Sequence, residues 1–420
     1  MLTTAPRGTK DILPGAVNGW RYVESVLRDV CREFNYQEIR TPIFEHTELF
    51  QRGIGDGTDV VDKEMYTFND RSGRSIRFVP KIRLLSYVPS SKNKLYAEPM
   101  PLKVFYIGPM FRYDRPQAGR MRQFHLVCVE AMGSPSPVVD AETILLAITV
   151  LKRLGLKDLK LKINSVGCPK CRPQHRTLLQ DYFRPHLKEL CEDCQSRFDR
   201  SPLRILDCKV DHDKPFMAGA PKITDSLCEE CHDHFEMVKK LLDEAGVDYE
   251  VDSTLVRGLD YYTKTAYEVQ YSPLGAQSAV GGGGRYDGLV EELGGPSTPG
   301  VGFAMGLERI ILALEKQGLL KSEKEAIDVF AVVPDEGGTA DAFKAVMTLR
   351  EAGYSCDMNQ IGRSMKAQMK QADRTGARFA LIFGEEERSR GAVTVRNMAD
   401  SSQEEIKRSE IVSYMKKAEV

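Results

Sequence analysis

Apolar residues recur at helical spacing from Gly19 to Phe34, and Tyr36-Gln-Glu-Ile-Arg-Thr-Pro-Ile-Phe44 then alternates like a strand. Pro42 has no N–H to donate, so it fits a sheet edge, a subunit seam or an ordinary strand terminator. Leu102 to Arg112 and Phe124 to Met132 are strand-like and flank a loop rich in arginine and glycine, Tyr113 to Gln123, which predicts an antiparallel hairpin. Ser136 with Pro137 supplies an N-cap and a first-turn proline, and Gly155 a stop, so a helix is predicted over about 137–154. From 168 to about 245, Cys-x-x-Cys pairs at 168/171, 191/194 and 228/231 punctuate a charged, largely helical stretch that reads as an inserted domain. Beyond about residue 325 the pattern changes again. Asp328-Val-Phe-Ala-Val-Val-Pro334, a helix to Ala352, a strand near Tyr354, a helix near 364–376 and Arg378-Phe-Ala-Leu-Ile-Phe-Gly384 imply a small, mostly parallel α/β domain.

A chain of 420 residues is long for one core and suggests two or three domains. Lys plus Arg total 59 against 60 Asp plus Glu, so bulk charge gives no sign of a nucleic-acid partner, although a local basic stripe can still provide one. In the helix near 364–376, Arg363, Lys366, Lys370, Arg374 and Arg378 fall on one such stripe; a solvated face is the plain explanation and an RNA contact the alternative. The opening MLTTAPRGTKDILPG lacks a charged-then-apolar signal pattern, and no apolar run approaches the roughly 18 to 20 residues of a membrane span. A soluble, cytoplasmic protein without a membrane partner is expected. Ten cysteines then fit reduced thiols or metal ligands better than disulfides. Two converging pairs would make a tetrahedral thiolate zinc site, but the third pair and Cys208 leave the ligand choice open against small buried thiols. No metal ligand is assigned.

Arg112 closes the first hairpin strand, and Arg115, Arg120 and Arg122 crowd the loop after it with few acids, which suits a polyphosphate. Gly300-Val-Gly-Phe-Ala-Met-Gly-Leu-Glu-Arg309 reads as a glycine-rich strand entering a helix, with Arg309 in the first turn where phosphate and helix dipole meet. Either arginine alone is ordinary surface ion-pair material. Leu255-Val-Arg-Gly-Leu-Asp-Tyr-Tyr-Thr263 and Ser278-Ala-Val-Gly-Gly-Gly-Gly-Arg-Tyr-Asp-Gly288 add Arg257, Tyr261, Tyr262 and Tyr286. In the family that these two segments resemble, one fixed cation and several aromatic hydroxyls serve an imidazole ring beside a carboxylate that becomes an acyl phosphate.

Those two segments are a signature of histidyl-tRNA synthetases, which the chain resembles. The order of its arginine motifs resembles class II aminoacyl-tRNA synthetases, with motif one around Arg40 to Glu45, motif two from Tyr106 to Glu130 and motif three from Gly300 to Arg309. With Ser364-Met-Lys-Ala-Gln-Met-Lys-Gln-Ala-Asp373 the resemblance covers nearly the whole chain. It implies an α+β fold: an antiparallel β-sheet catalytic domain over 1–325, interrupted by the insertion at about 168–245, then an α/β anticodon-binding domain over 326–420. It also implies a homodimer, an insertion that clasps the tRNA acceptor arm, and ligation of L-histidine to histidine tRNA using ATP with Mg2+. By resemblance, Arg112, Arg120, Arg309 and Glu308 bind ATP. Arg257 holds the histidine carboxylate and the α-phosphate, acting with Arg112 in catalysis. Glu130 accepts from the imidazole, Tyr262 closes its other side, and Tyr261 and Tyr286 complete the pocket. Gly281 to Gly284 let backbone approach the bound adenylate, a flexible turn being the alternative.

Two departures stand out. Between Ile76 and Lys94 the family reads close to LRPE(G/N)TA..VRAY, whose glutamate and threonine help bind the substrate ammonium; this chain has RFVPKIRLLSYVPSSKN, with Lys81 and Arg83 in those places. Losing one charged partner costs about 2 to 5 kcal/mol, and repulsion adds to it. Codons can be written that encode Arg77 to Val88 and the start of Pro89 and that, with the first two bases dropped, spell LRPENTASVVRA. The expectation is therefore a base lost near codon 77 and one gained near codon 92. The second departure is Leu126, where the family carries glutamine. Damage near Lys81 also fits a different class, a non-catalytic histidine sensor like the regulatory subunit of ATP phosphoribosyltransferase. The retained Arg257 segment, the ATP arginines and a complete C-terminal domain stand against it.

Overall fold

The structure is a computed structural model that describes residues 4–49, 65–79, 95, 98–117, 119–208, 210–256, 261–275, 278–320 and 326–418. Lys81, Arg83 and Arg257 lie outside the described residues. The chain divides into two units, Met1–Ile12 with Trp20–Leu320, and Leu13–Gly19 with Lys321–Val420.

The strands of the first unit are β1 (Gln37–Glu38), β2 (Phe44–His46), β3 (Thr67–Asn69), β4 (Ser75–Phe78), β5 (Leu102–Phe111), β6 (Gln123–Met132), β7 (Leu159–Ser165), β8 (Glu250–Val251), β9 (Thr263–Tyr271), β10 (Ala279–Arg285) and β11 (Gly300–Gly306). Eight form one sheet in the order β1-β5-β6-β11-β10-β9-β7-β8. It is antiparallel throughout except where β1 and β8 add at its two edges in parallel. The predicted hairpin is its centre: β5 and β6 pair from Leu102 opposite Met132 to Phe111 opposite Gln123. Alternation along β6 separates two environments. Val127, Val129 and Ala131 enter the main core with the helices Ala16–Glu33 and Pro137–Arg153, while Phe124 and Cys128 join a second cluster with Tyr261, Tyr262 and Tyr286. Glu130 shares the parity of that second set, so the pleat aims a carboxylate at the tyrosines.

The helix Pro137–Arg153 forms where its sequence signals place it. The Ser136 hydroxyl accepts from the Val138 N–H at 3.3 Å, and Gly155 takes φ +84° just past the end, a conformation costly for other residues.

The expected strand Tyr36–Phe44 is instead two short ones. Gln37–Glu38 adds to the large sheet, and Phe44–His46 belongs to a separate sheet ordered β2-β4-β3. Pro42, between them, cannot donate to a ladder and marks the change of sheet. The inserted stretch is less helical than expected. Between the helices Arg172–Phe183 and Glu229–Glu244 lie short 3-10 turns and the six-residue helix Glu192–Arg197.

In the second unit β12 (Val329–Val332), β13 (Cys356–Met358), β14 (Phe379–Ile382), β15 (Ala392–Asn397) and β16 (Gln403–Lys407) form a sheet ordered β13-β12-β14-β15-β16. Only β12 with β13 and β12 with β14 are parallel; β14-β15 and β15-β16 are antiparallel, so the mostly parallel expectation is corrected to a mixed sheet. The connections after β14 are too short for the crossover that parallel strands need. The helix Met365–Arg374 carries Lys366, Lys370 and Arg374, whereas Arg363 precedes it and Arg378 follows it, paired to Asp328 at 3.6 Å. All five cations are exposed. The same helix is locked by Gln368, fully buried, whose amide gives to and takes from the backbone of Val333 at 2.7 Å each way.

Candidate functional site

Three neighbouring strands build one pocket wall. Register places Glu130 of β6 opposite Gly302 of β11, and Gly302 opposite Gly284 of β10. Glu130 is 1 % exposed and accepts a hydrogen bond from the hydroxyl of Tyr286, itself buried just past β10. That bond crosses over β11 because β11 carries glycine there. A Cβ at Gly302 would overlap the Glu130 carboxylate, and one at Gly300 would overlap the Tyr286 ring. Tyr261 and Tyr262 complete the wall, their rings 4.9 Å apart, with Tyr261 edge-on to Tyr286 at 6.2 Å. Glu130, Tyr261, Tyr262 and Tyr286 thus come together as the sequence proposed, around a buried carboxylate.

Gly281 to Gly284 are strand, paired on both sides, and no turn. A Cβ at Gly283 would strike the Gly302 carbonyl oxygen, so close approach of β11 already requires the glycine. Leu126 packs at the edge of the tyrosine cluster, giving it an apolar contact where a glutamine would give an amide.

The arginines gather at the other end of the hairpin. Arg112 follows β5, its Nε donating to the Met121 carbonyl at 3.1 Å and its guanidinium lying 4.2 Å over the Phe124 ring. Arg120 is ion-paired to Asp114. Burial works against ionising Asp114, but the Arg120 and Arg115 hydrogen bonds and the charges of Arg120 and Arg112 hold its carboxyl below the usual range. Arg309 stands in the first turn of the helix Leu307–Lys316, its Nε giving to the Ala279 carbonyl. Its Nη2 is buried and has no hydrogen-bond partner among the described residues. Burial lowers its pKa against the pull of Glu268, with a smaller push from the positive charge of Arg120, yet a guanidinium stays charged. A half-buried guanidinium whose buried Nη2 is an unused donor, beside a helix N-terminus, suits an anion. Glu308 is otherwise engaged: its carboxylate takes the backbone N–H of His125 at 2.9 Å and its ring Nδ1 at 3.0 Å, tying this helix to β6.

Sequence reasoning passed over Arg285 and Asp140. Arg285 is fully buried, donates from Nε and Nη2 to Asp140 and from Nη1 to Asp287 at 3.0 Å, and also caps the Ser134 and Ser136 carbonyls. Asp140 also meets His234 of the helix Glu229–Glu244 at 3.2 Å. The network pins the strand carrying the glycines to two helices. Its only signal in the sequence was an arginine inside an otherwise apolar and glycine run.

A cavity of about 640 Å³ has Val256 and Tyr262 in its lining together with Arg172, Arg176, Arg200 and Arg204 of the inserted stretch. The described residues contain no helix long and apolar enough to cross a membrane.

The family model described as Histidyl-tRNA synthetase matches residues 8–310, and one described as Anticodon binding domain matches 328–418. A histidine–tRNA ligase of Pelotomaculum thermopropionicum is 56% identical over 416 residues, 99% of this chain and 98% of that protein. One of Desulforamulus reducens is 53% identical over 416 residues, 99% of each chain. Among solved structures, the apo histidyl-tRNA synthetase of S. aureus is 40% identical with a TM-score of 0.84, covering 99% of this chain and 100% of that one. Identity at this level, spanning 99% of the chain, with a family model matched over residues 8–310, shows that the chain belongs to the histidyl-tRNA synthetase family.

Proposed function

We propose that this chain activates L-histidine with ATP and transfers it to histidine tRNA, and that the buried Glu130, seated among Tyr261, Tyr262 and Tyr286, selects the amino acid. The imidazole N–H donates to the Glu130 carboxylate, and Tyr262 closes the ring's other side. A side chain of similar size without that N–H would leave the carboxylate short of a donor in a desolvated site, which costs about 1 to 3 kcal/mol or more.

ATP enters as its magnesium complex. Arg309, with Nη2 unused, and Arg112 hold its phosphates, and Arg120 swings from Asp114 to join them. Glu308 supports this set by fixing the helix of Arg309 to the strand of Glu130. Arg257 bridges the histidine carboxylate and the α-phosphate. The carboxylate oxygen attacks the α-phosphorus, the bond to the β-phosphate breaks, and pyrophosphate leaves as the arginines take up the developing charge. A ribose hydroxyl at the tRNA end then attacks the acyl carbon and AMP departs. The arginine-lined cavity beside Tyr262 suits the phosphates of that end, and the exposed stripe Arg363, Lys366, Lys370, Arg374 and Arg378 suits the anticodon arm. The protein acts as a cytoplasmic homodimer on this reading.

The test is pyrophosphate exchange with each amino acid in turn, followed by acylation of histidine tRNA. Exchange with histidine alone supports the reading; exchange with another amino acid contradicts it, as does tRNA binding with no exchange in a folded chain whose residues 78–89 are replaced by LRPENTASVVRA.

A further inference from the structure

Seven cysteines left the sequence without a ligand set, and folding sorts them. Cys168, Cys171, Cys228 and Cys231 bring their sulfurs within 4.8 Å of one another, and Cys191, Cys194, Cys208 and a carboxylate oxygen of Asp211 do the same. Cys168 lies 3.6 Å from Cys171 and 3.8 Å from Cys228, and Cys191 lies 3.7 Å from Cys208. Four sulfurs at about 2.3 Å from a tetrahedral zinc stand about 3.8 Å apart. A disulfide would need about 2.05 Å.

Simple packing of small thiols does not account for three further features. Asp211 is fully buried among the three sulfurs of its cluster, and a carboxylate is no filler for an apolar gap. Its oxygens are oriented by the Cys191 N–H at 3.0 Å and the Lys214 ammonium at 2.7 Å, the arrangement of a ligand held by its surroundings. In the other cluster backbone amides point at sulfur, Lys170 N–H at Cys168 at 3.3 Å and Cys228 N–H at Cys171 at 3.1 Å, which favours thiolate charge. The inserted stretch also needs a staple. Its own core is a small cluster around Leu179, Phe183, Phe198 and Ile205, joined by short turns, and modules this small gain much of their stability from metals or cross-links.

We propose that the insertion holds two structural zinc ions, one on Cys168, Cys171, Cys228 and Cys231 and one on Cys191, Cys194, Cys208 and Asp211. All-protein ligand sets of four, largely buried, leave no open position for catalysis, and thiolates with one carboxylate suit zinc over harder cations. The first ion clasps the start of the insertion to the first turn of its last helix, Glu229–Glu244. It sits against Gly167, whose carbonyl takes the Lys264 N–H at 2.8 Å two residues beyond Tyr262, so the clasp sets the neck of the insertion beside the tyrosine wall. Neither ion is needed for the proposed chemistry, so the inference stands apart from the activity.

The test measures metal in the full chain purified from zinc-supplemented cells without chelator. Two zinc per chain are expected, released as a mercurial titrates the thiols, with X-ray absorption giving seven sulfurs and one oxygen over two ions. Cys228→Ala and Cys208→Ala should each halve the zinc content independently. If either variant fails to fold, the X-ray absorption of the unmodified chain decides alone. Fewer than two tightly held zinc per chain, or a coordination shell dominated by nitrogen and oxygen, overturns the proposal.

Discussion

The hydroxyl of Tyr286 donates to the carboxylate of Glu130 across the backbone of Gly302, joining β10 to β6 over the strand between them. The bond fixes a buried charge at the point where an imidazole would dock. Tyr286→Phe removes a donor from that charge, a loss of about 1.5 to 3 kcal/mol, so the KM for histidine should rise about ten- to a hundredfold. Steady-state exchange as a function of histidine checks this. An unchanged KM would mean that Glu130 does not hold the substrate.

Gly302→Ala should be worse than its one added methyl suggests. The new Cβ would overlap both the Glu130 carboxylate and the Val129 carbonyl, and backbone in a central strand cannot yield cheaply. A stability loss of about 1 to 3 kcal/mol is expected by denaturant titration, with exchange reduced more than unfolding explains.

Arg309→Lys keeps the charge and loses the fork. Because Nε is committed to Ala279 and Nη2 is left for the anion, an ammonium cannot serve both. Exchange should fall about a hundred- to a thousandfold with the melting temperature little changed. Calorimetry beside kinetics separates the two.

The Asp140–Arg285 pair supplies a pH signature. Burial alone would raise the Asp140 pKa, but the His234 hydrogen bond and the charge and hydrogen bonds of Arg285 outweigh it and hold the carboxyl below its usual range. A depressed carboxylate contributes stability that is complete above its unfolded pKa, about 3.9, and is lost as pH falls through the lower folded value. Asp140→Asn should cost about 3 kcal/mol near neutrality by taking from a buried guanidinium its main counter-charge and leaving it the part-exposed Asp287 alone, and should flatten the acid limb of the stability curve. Urea unfolding from pH 7 down to pH 3 reads both. A parallel downward shift with the acid limb unchanged would show that Asp140 does not titrate as described.

What the sequence made legible was local. Ser136 and Gly155 mark a helix from within one turn of it, and the hairpin of β5 and β6 follows from alternation. The tyrosine wall was legible because its residues sit in two short segments carried by the family resemblance. Arg285 and Asp140 were not, because they are 145 residues apart and each looks ordinary alone. The Glu308–His125 tie, 183 residues apart, was hidden in the same way. Cysteine partners were undetermined because three pairs and Cys208 allow several sets, and only the path of the chain chooses among them. The antiparallel half of the second sheet was missed because its strands follow short connections that alternation of strand and helix does not register.

The Val79 carbonyl accepts from the Phe111 N–H at 3.0 Å, which sets Val79 beside the strand end that leads into Arg112; the proposed role of the stretch that follows in binding the substrate ammonium is open to direct test. Histidine-dependent exchange of pyrophosphate into ATP should be measured on the chain as it stands and on one carrying LRPENTASVVRA in place of residues 78–89. The restored chain should exchange with histidine and with no other amino acid, and the unmodified chain should be weaker by about thirtyfold or more, as expected for a lost ammonium partner. A restored, folded chain that fails to exchange with histidine would contradict the assignment of histidine activation; equal activity in the two would contradict the account of Lys81 and Arg83.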